Sequence, residues 1–248
     1  MKVLRAVAPQ LLRPKTPAPA PLATVAAAAP TSHTVEVHAS LLAKNDSAAA
    51  RNRAVFAAHR LLALNLVSSP GAGKTTLLSR TVDEFGHEEK CAVVVGDLET
   101  DNDARRIHRP HVPVAQITTG TACHLDADMV ARGVEALDLA GVRVLFIENV
   151  GNLVCPASFD LGEAVRVVLL SATEGEDKPL KYPPIFKSAH LVLLTKIDVA
   201  GALGFDRAAA VDNIRRIAPQ AQLIQLSARS GEGLDEWYRF LRAHLPRA

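Results

Sequence analysis

The chain has 248 residues, of which 48% are hydrophobic and 22% charged, so it suits one α/β domain with extensions or at most two small domains. A net charge of +2 and an aromatic content of 4% favour neither a nucleic acid nor a membrane as a partner. Three cysteines argue against a disulfide framework and indicate a cytoplasmic, reducing compartment, and no apolar run reaches the roughly 18 residues of a transmembrane helix.

The N-terminal segment differs in composition from the rest of the chain. Residues 1–35 are rich in alanine and proline and are predicted to form a disordered tail. Pro9, Arg13 and Pro14 interrupt its apolar stretch, which disfavours a secretory signal. Residues 40–60 contain no proline or glycine and predict a helix. The predicted division is therefore a tail over 1–35 and one domain with an N-terminal helix over 36–248.

From residue 62 onward, short runs of Val, Leu and Ile alternate with amphipathic stretches. The runs predict seven strands, over residues 62–68, 91–97, 112–120, 142–150, 164–172, 190–198 and 221–228. Helices are predicted over 75–85, 124–139, 205–217 and 234–244. Continuous apolar strands are buried on both faces, as in a parallel sheet that helices cover. The pattern predicts a doubly wound, mostly parallel α/β fold.

A glycine-rich turn, SSPGAGKT over residues 68–75, separates the first predicted strand from a helix. It matches the phosphate-binding pattern G-x-x-x-x-G-K-[ST] except at Ser68. Gly71 and Gly73 allow consecutive N–H groups to face phosphate oxygens, Lys74 supplies a cation, and the Thr75 hydroxyl can ligate Mg²⁺. The alternative is a purely structural turn. The predicted phosphate contacts are Ser69, Gly71, Ala72, Gly73, Lys74, Thr75 and Thr76.

Two segments at successive strand ends predict guanine as the base. TKID, over residues 195–198, resembles the NKxD segment of GTPases, and the Asp198 carboxylate can accept two hydrogen bonds from guanine that adenine does not offer. The stem of Lys196 can lie over the base. SAR, over residues 227–229, resembles the SAK segment that contacts guanine O6. The predicted base contacts are Thr195, Lys196, Asp198, Ser227, Ala228 and Arg229.

Acidic residues at the ends of two predicted strands are candidates for catalysis. Glu148 lies at the end of the fourth strand, where P-loop proteins place an acid near Mg²⁺ and the γ-phosphate. Gly151, in the next loop, is predicted to swing toward that phosphate. Asp97 ends the second strand and is a candidate for organising Mg²⁺ and the attacking water. With Lys74 and Thr75, these two acids form the predicted catalytic set.

Cys123, His124 and Cys155 offer two sulfurs and one nitrogen, a donor set suited to Zn²⁺ or Ni²⁺. From spacing alone the signal is weak, because buried cysteines commonly act as small hydrophobic residues. Cys91 opens a strand and is assigned to the core.

Residues 39–248 resemble the HypB family, GTPases that help insert nickel into [NiFe]-hydrogenase. The segments that carry the resemblance are AKNDSAAARNRAVF, LNLVSSPGAGKTTLL, GDLETDNDA, TGTACHLDADMV, FIENVGNLVCPASFDLGE, EGEDKPLKYPPIF and LLTKID. Ser68 is typical of this family. The resemblance implies a SIMIBI-type P-loop fold, with Cys123, His124 and Cys155 as metal ligands near the contact of a GTP-dependent homodimer. It also implies a nickel-transferring accessory protein and the hydrogenase large subunit as partners.

The resemblance has one departure and leaves three alternatives. Some members carry an N-terminal CxxCGC motif or a histidine-rich stretch, whereas here only His33 and His38 precede residue 59 and no cysteine does. The urease nickel GTPase is one alternative, although ENVGNLVCP favours the hydrogenase type. A non-hydrolysing nickel- or zinc-binding protein is the second, and GTP turnover distinguishes it. An ATP-dependent kinase is the third, and Asp198 argues against it.

Overall fold

The computed structural model describes the backbone of residues 32–247 and the side chains of residues 39–247. Most of the predicted tail, residues 1–31, lies outside the described residues. The seven predicted strands are all present and pair in parallel, in the order β3-β2-β4-β1-β5-β6-β7. They are β1 Leu62–Ser68, β2 Cys91–Asp97, β3 Val114–Thr118, β4 Val144–Glu148, β5 Val165–Ser171, β6 Leu191–Thr195 and β7 Gln222–Gln225.

Eight helices accompany the sheet in the described part of the chain. They are α1 Ser32–Ala58, α2 Lys74–Glu84, α3 Asn102–Ile107, α4 Ala127–Glu135, α5 Lys178–Lys181, α6 Pro183–Lys187, α7 Arg207–Ile217 and α8 Leu234–His244. Among these residues, no helix has both the length and the apolar character needed to cross a membrane.

Two of the predicted helices had wrong boundaries. The first helix begins at Ser32, not at residue 40, so it includes the last four residues of the predicted tail. The helix predicted from His124 begins at Ala127, because the Asp126 side chain caps it by accepting a hydrogen bond from the Met129 N–H at 2.7 Å. It ends at Glu135, and the Asp138 carboxylate accepts from the Ala140 N–H at 3.0 Å in the loop that follows.

The sheet is buried on both faces by helices, as its continuous apolar strands predict. Every residue of β1 and β5 is buried. On one face, the Trp237 ring of α8 is fully buried and its indole N–H donates to Thr81 Oγ1 of α2 at 3.0 Å. On the other face, α1 packs against α4. Because the strands are parallel, Ser68, Asp97, Glu148 and Thr195 lie at the same edge of the sheet, where ligands of such folds bind.

Candidate functional site

The turn between β1 and α2 is shaped to bind phosphate. Gly71 and Gly73 have φ of +75° and +102°, which L side chains rarely adopt, and Gly73 caps α2. The loop therefore lies at a helix N-terminus with its backbone N–H groups available to an anion. Ser68, which departs from the usual pattern, accepts a hydrogen bond from Lys74 Nζ at 3.0 Å and donates to the Ser69 carbonyl at 2.7 Å. Ser68 thus holds Lys74 across the loop.

Lys74, Thr75 and Glu148 form a buried polar group beneath the loop. The Thr75 hydroxyl donates to Glu148 Oε1 at 2.7 Å, while Glu148 Oε2 has no hydrogen-bond partner among the described residues. Burial lowers the pKa of Lys74, and burial raises the pKa of Glu148 to about 7 although the Lys74 charge opposes it. A buried carboxylate oxygen without a partner beside a threonine hydroxyl fits the oxygen ligands that Mg²⁺ prefers.

A cavity of about 410 Å³ opens above this polar group. Asp97 lines it, and its Oδ1 accepts from the N–H groups of Thr100 at 2.9 Å and Glu99 at 3.1 Å. Burial raises the pKa of Asp97, but these hydrogen bonds outweigh burial and leave the pKa below its usual value. Asp103 and Arg106 of α3 also line the cavity, and neither was predicted because α3 carries no sequence signal.

A second cavity, of about 340 Å³, lies next to the phosphate loop and contains the residues predicted to contact the base. The Thr195 hydroxyl donates to the Ala72 carbonyl at 2.8 Å, which joins β6 to the phosphate loop. Lys196 has φ of +57°, and its Nζ donates to the Gly71 carbonyl at 2.7 Å, so its stem crosses between the two cavities. The Asp198 side chain lines this cavity and is exposed to solvent.

The SAR segment closes the opposite side of the second cavity. The buried Ser227 Oγ accepts from the N–H groups of Arg229 at 3.2 Å and Ser230 at 3.1 Å, which folds the turn after β7. Ala228 and Arg229 line the cavity. Thr173, at the end of β5, also lines it and was not predicted, because an exposed threonine after a strand carries no sequence signal. A purine-sized pocket thus adjoins the phosphate loop.

Cys123, His124 and Cys155 lie together as predicted, with their ligand atoms within 4.8 Å of one another. The sulfur atoms of Cys123 and Cys155 are 2.7 Å apart, and Cys123 Sγ is 3.8 Å from His124 Nδ1. The His124 ring packs on Phe159 with centroids 4.0 Å apart, and burial lowers the pKa of His124. This S₂N donor set, with a neutral imidazole, fits Zn²⁺ or Ni²⁺. Cys91 is buried in the core, away from this set.

The loop after β4, residues 149–152, contacts both the phosphate loop and the cysteine–histidine cluster. A Cβ on Gly151 would lie 2.9 Å from the Cα of Pro70, so only glycine allows this close approach. On the other side, Asn152 Nδ2 donates to the Cys123 carbonyl at 3.1 Å, and the Leu125 N–H donates to Asn149 Oδ1 at 3.0 Å. One short loop therefore connects the two sites.

The chain is similar in sequence and in structure to known proteins of one family. The family model for the CobW/HypB/UreG nucleotide-binding domain matches residues 62–225. The hydrogenase maturation factor HypB of Azotobacter chroococcum mcd 1 is 53% identical over 210 residues, which cover 85% of this chain and 69% of that protein. The crystal structure of HypB from Helicobacter pylori in complex with nickel is similar, with a TM-score of 0.76 and 38% identity over 83% of this chain and 98% of that one. HypB from Archaeoglobus fulgidus gives a TM-score of 0.77 at 38% identity, over 82% and 99% of the two chains.

Proposed function

Because the chain belongs to the HypB family of CobW/HypB/UreG nucleotide-binding proteins, we propose that it is a GTP-hydrolysing metallochaperone that assists nickel insertion into a [NiFe]-hydrogenase large subunit. The observation that carries this proposal is the loop after β4, whose Gly151 contacts the phosphate loop while its Asn152 binds the segment of Cys123. A nucleotide site and a metal site joined by one loop suit a protein that handles a metal according to its nucleotide state.

Guanine is the proposed base. Asp198 presents an exposed carboxylate at the second cavity, next to the stem of Lys196. Guanine offers an N1–H and an exocyclic amine to such a carboxylate, and adenine offers neither in that arrangement, so ATP would leave Asp198 unpaired and desolvated. The turn folded by Ser227 places the backbone of Ala228 and Arg229 across the cavity, where it can meet the O6 edge of the base.

Hydrolysis is proposed to depend on positioning and charge neutralisation. Lys74 and the N–H groups of the phosphate loop would hold the β- and γ-phosphates, and Thr75 and Glu148 would hold Mg²⁺, which neutralises charge developing on the phosphate oxygens. The hydrogen bonds that Asp97 accepts keep it ionised and oriented, so it can accept a hydrogen bond from the attacking water. The reaction is slow in proteins built this way and suits a timer more than a metabolic step.

The metal is the cargo of the proposed function. Cys123, His124 and Cys155 would bind Ni²⁺ or Zn²⁺, and a homodimer formed in the presence of GTP would bring two such clusters near one contact. A nickel-transferring accessory protein and the hydrogenase large subunit are the proposed partners. Because the cluster needs two free thiols, we place the protein in the reducing cytoplasm.

Turnover of GTP by purified protein tests the proposal. The Lys74→Ala variant should lose most hydrolysis, because it removes the cation at the β- and γ-phosphates. Lys187→Ala is the matched control, since that lysine is exposed on α6 and lines neither cavity. GTP turnover by Lys74→Ala close to that of the control would contradict the assignment of the phosphate loop.

A further inference from the structure

Helix α1 lies outside the 62–225 range of the family model, yet it hydrogen-bonds to residues that follow each half of the cysteine–histidine cluster along the chain. We define the first ligand segment as residues 123–128, which carries Cys123 and His124, and the second ligand segment as residues 155–162, which carries Cys155. The hydrogen bonds that the side chains of Asn45, Arg51, Asn52 and Arg53 make reach these two segments and not the phosphate loop or the base-contacting turns. These side chains of α1 therefore contact the part of the domain that carries the cysteine–histidine cluster.

Two buried asparagines of α1 each join the two ligand segments. Asn45 Oδ1 accepts from the Ala127 N–H at 2.9 Å, and Asn45 Nδ2 donates to the Asp160 carbonyl at 2.8 Å. Asn52 Nδ2 donates to the Ala127 carbonyl at 2.8 Å and to the Leu161 carbonyl at 3.0 Å. Each amide thus hydrogen-bonds to one residue of the first segment and one residue of the second. The two asparagines lie two helical turns apart on the same face of α1.

Small residues let α1 approach the second ligand segment closely enough to form these hydrogen bonds. Ala48 and Ala49 lie between the two asparagines and are 1% and 0% exposed. Gly162, with φ of +88°, faces them, and a Cβ there would lie 2.6 Å from the Ala49 carbonyl oxygen. The contact is therefore one of backbone against backbone, with little freedom to shift.

Exposed ion pairs join the same elements at the surface. Arg51 pairs with Asp128 of the first ligand segment at 3.2 Å, and Arg53 pairs with Asp160 of the second at 2.7 Å. The arginine side chains are 67% and 54% exposed, so these pairs contribute little to the position of the segments. Substitution of either arginine is therefore a matched control, because it removes a contact with the same segment and leaves the buried amides in place.

We propose that α1 sets the spacing of the two ligand segments, with Asn45 and Asn52 as positioning residues for the metal that Cys123, His124 and Cys155 bind. This inference rests on the proposed function for the identity of the cluster. A metal requires its ligands within about 0.2 Å of ideal distances, and loss of partners that orient ligands typically reduces metal affinity about 10- to 100-fold. Asn52→Leu removes both donors at similar volume, and Asn45→Asp keeps the acceptor for Ala127 while removing the donor to Asp160.

The test is titration of the full chain with Ni²⁺, monitored by the thiolate-to-metal absorption band, together with GDP affinity measured on metal-free protein. The expected result is a Ni²⁺ affinity lowered about 10-fold or more in Asn52→Leu and by a smaller factor in Asn45→Asp, with a shifted absorption band. GDP affinity should stay within about twofold of wild type, since neither asparagine lines a nucleotide cavity or shares one of these hydrogen bonds with the phosphate loop. Arg53→Ala should behave as wild type in both measurements.

Three results would overturn the inference, and one of them also overturns the proposed function. Wild-type Ni²⁺ affinity in both asparagine variants would show that α1 does not position the ligands. Parallel loss of Ni²⁺ and GDP affinity in Asn45→Asp, the milder variant, would show that α1 supports the whole domain instead. If the wild-type protein itself gives no thiolate-to-metal band, the metal site of the proposed function fails as well.

Discussion

Replacing Glu148 by glutamine should make the stability of the nucleotide-free protein less dependent on pH. The Glu148 side chain is 3% exposed, and burial raises its pKa to about 7 from an ordinary value of 4.5. Between these two values the folded protein retains a proton that the unfolded chain releases. The contribution of Glu148 to the free energy of unfolding therefore falls as pH rises from about 4.5 to about 7. Above that range its contribution is constant.

The magnitude follows from the separation of the two pKa values. A gap of about 2.5 units corresponds to about 3 kcal/mol, of which about 2 to 3 kcal/mol develops between pH 5 and pH 8. Glutamine can still accept a hydrogen bond from the Thr75 hydroxyl but does not titrate, so the pH-dependent contribution of Glu148 to stability disappears in Glu148→Gln. The same variant should lose most Mg²⁺-dependent GTP hydrolysis, because an amide binds the cation more weakly than a carboxylate.

Urea unfolding of both proteins at pH 5 and pH 8, without nucleotide, measures this difference. Titrating groups that do not interact with Glu148 contribute equally to wild type and variant, so the comparison reports on Glu148 together with Lys74, whose pKa the Glu148 charge raises. The free energy of unfolding of wild type should fall by about 2 to 3 kcal/mol more than that of Glu148→Gln over this range. An identical pH dependence in the two proteins would show that Glu148 does not titrate between pH 5 and pH 8 in the folded state, and would refute the reasoning.

Two further predictions concern the base and the N-terminal segment. Asp198→Asn should weaken GTP binding about tenfold or more and improve binding of xanthosine triphosphate, because xanthine offers an acceptor to the new amide; equal loss for both nucleotides would exclude Asp198 as the base contact. Deleting residues 1–31, which ends the truncation just before α1, should leave GTP hydrolysis and metal stoichiometry unchanged, because this segment contains no cysteine and no histidine. Loss of one bound Ni²⁺ per chain on truncation, measured by elemental analysis, would contradict it.

The strands and both nucleotide cavities were predictable from local sequence. Runs such as CAVVV at the start of the second strand are continuously apolar and rich in β-branched residues, which is typical of a strand buried on both faces, and parallel topology then brings the strand ends to one edge. Helix α3 was missed because its 6 residues are too few to show a helical period, and with it Asp103 and Arg106 of the phosphate cavity.

The residues around the cysteine–histidine cluster could not be predicted, because their roles depend on partners that are distant in the sequence. Asn45 and Asn52 are ordinary polar residues in a helical segment, and their hydrogen bonds reach 75 to 115 positions along the chain. Asn149 and Asn152 likewise gain their importance from contacts with the segment of Cys123. Amides in loops and helices carry no periodicity, so only the assembled fold distinguishes them from solvated side chains. The division into a tail over residues 1–35 and a domain over residues 36–248 stays a prediction.

We propose that the nucleotide state controls the metal site through the loop after β4. The measurement that tests it is the Ni²⁺ affinity of the protein without nucleotide, with GDP and with a non-hydrolysable GTP analogue. Because Gly151 packs on Pro70 and Asn152 binds the Cys123 carbonyl, movement of the loop with the γ-phosphate should displace a ligand segment. We expect the affinities to differ by about 5- to 30-fold between states, with metal changing nucleotide affinity by the same factor, and Cys155→Ala to abolish the difference while still binding GTP. Equal Ni²⁺ affinity in all three states would show that the cysteine–histidine cluster is a static structural site and would contradict the coupling between nucleotide and metal.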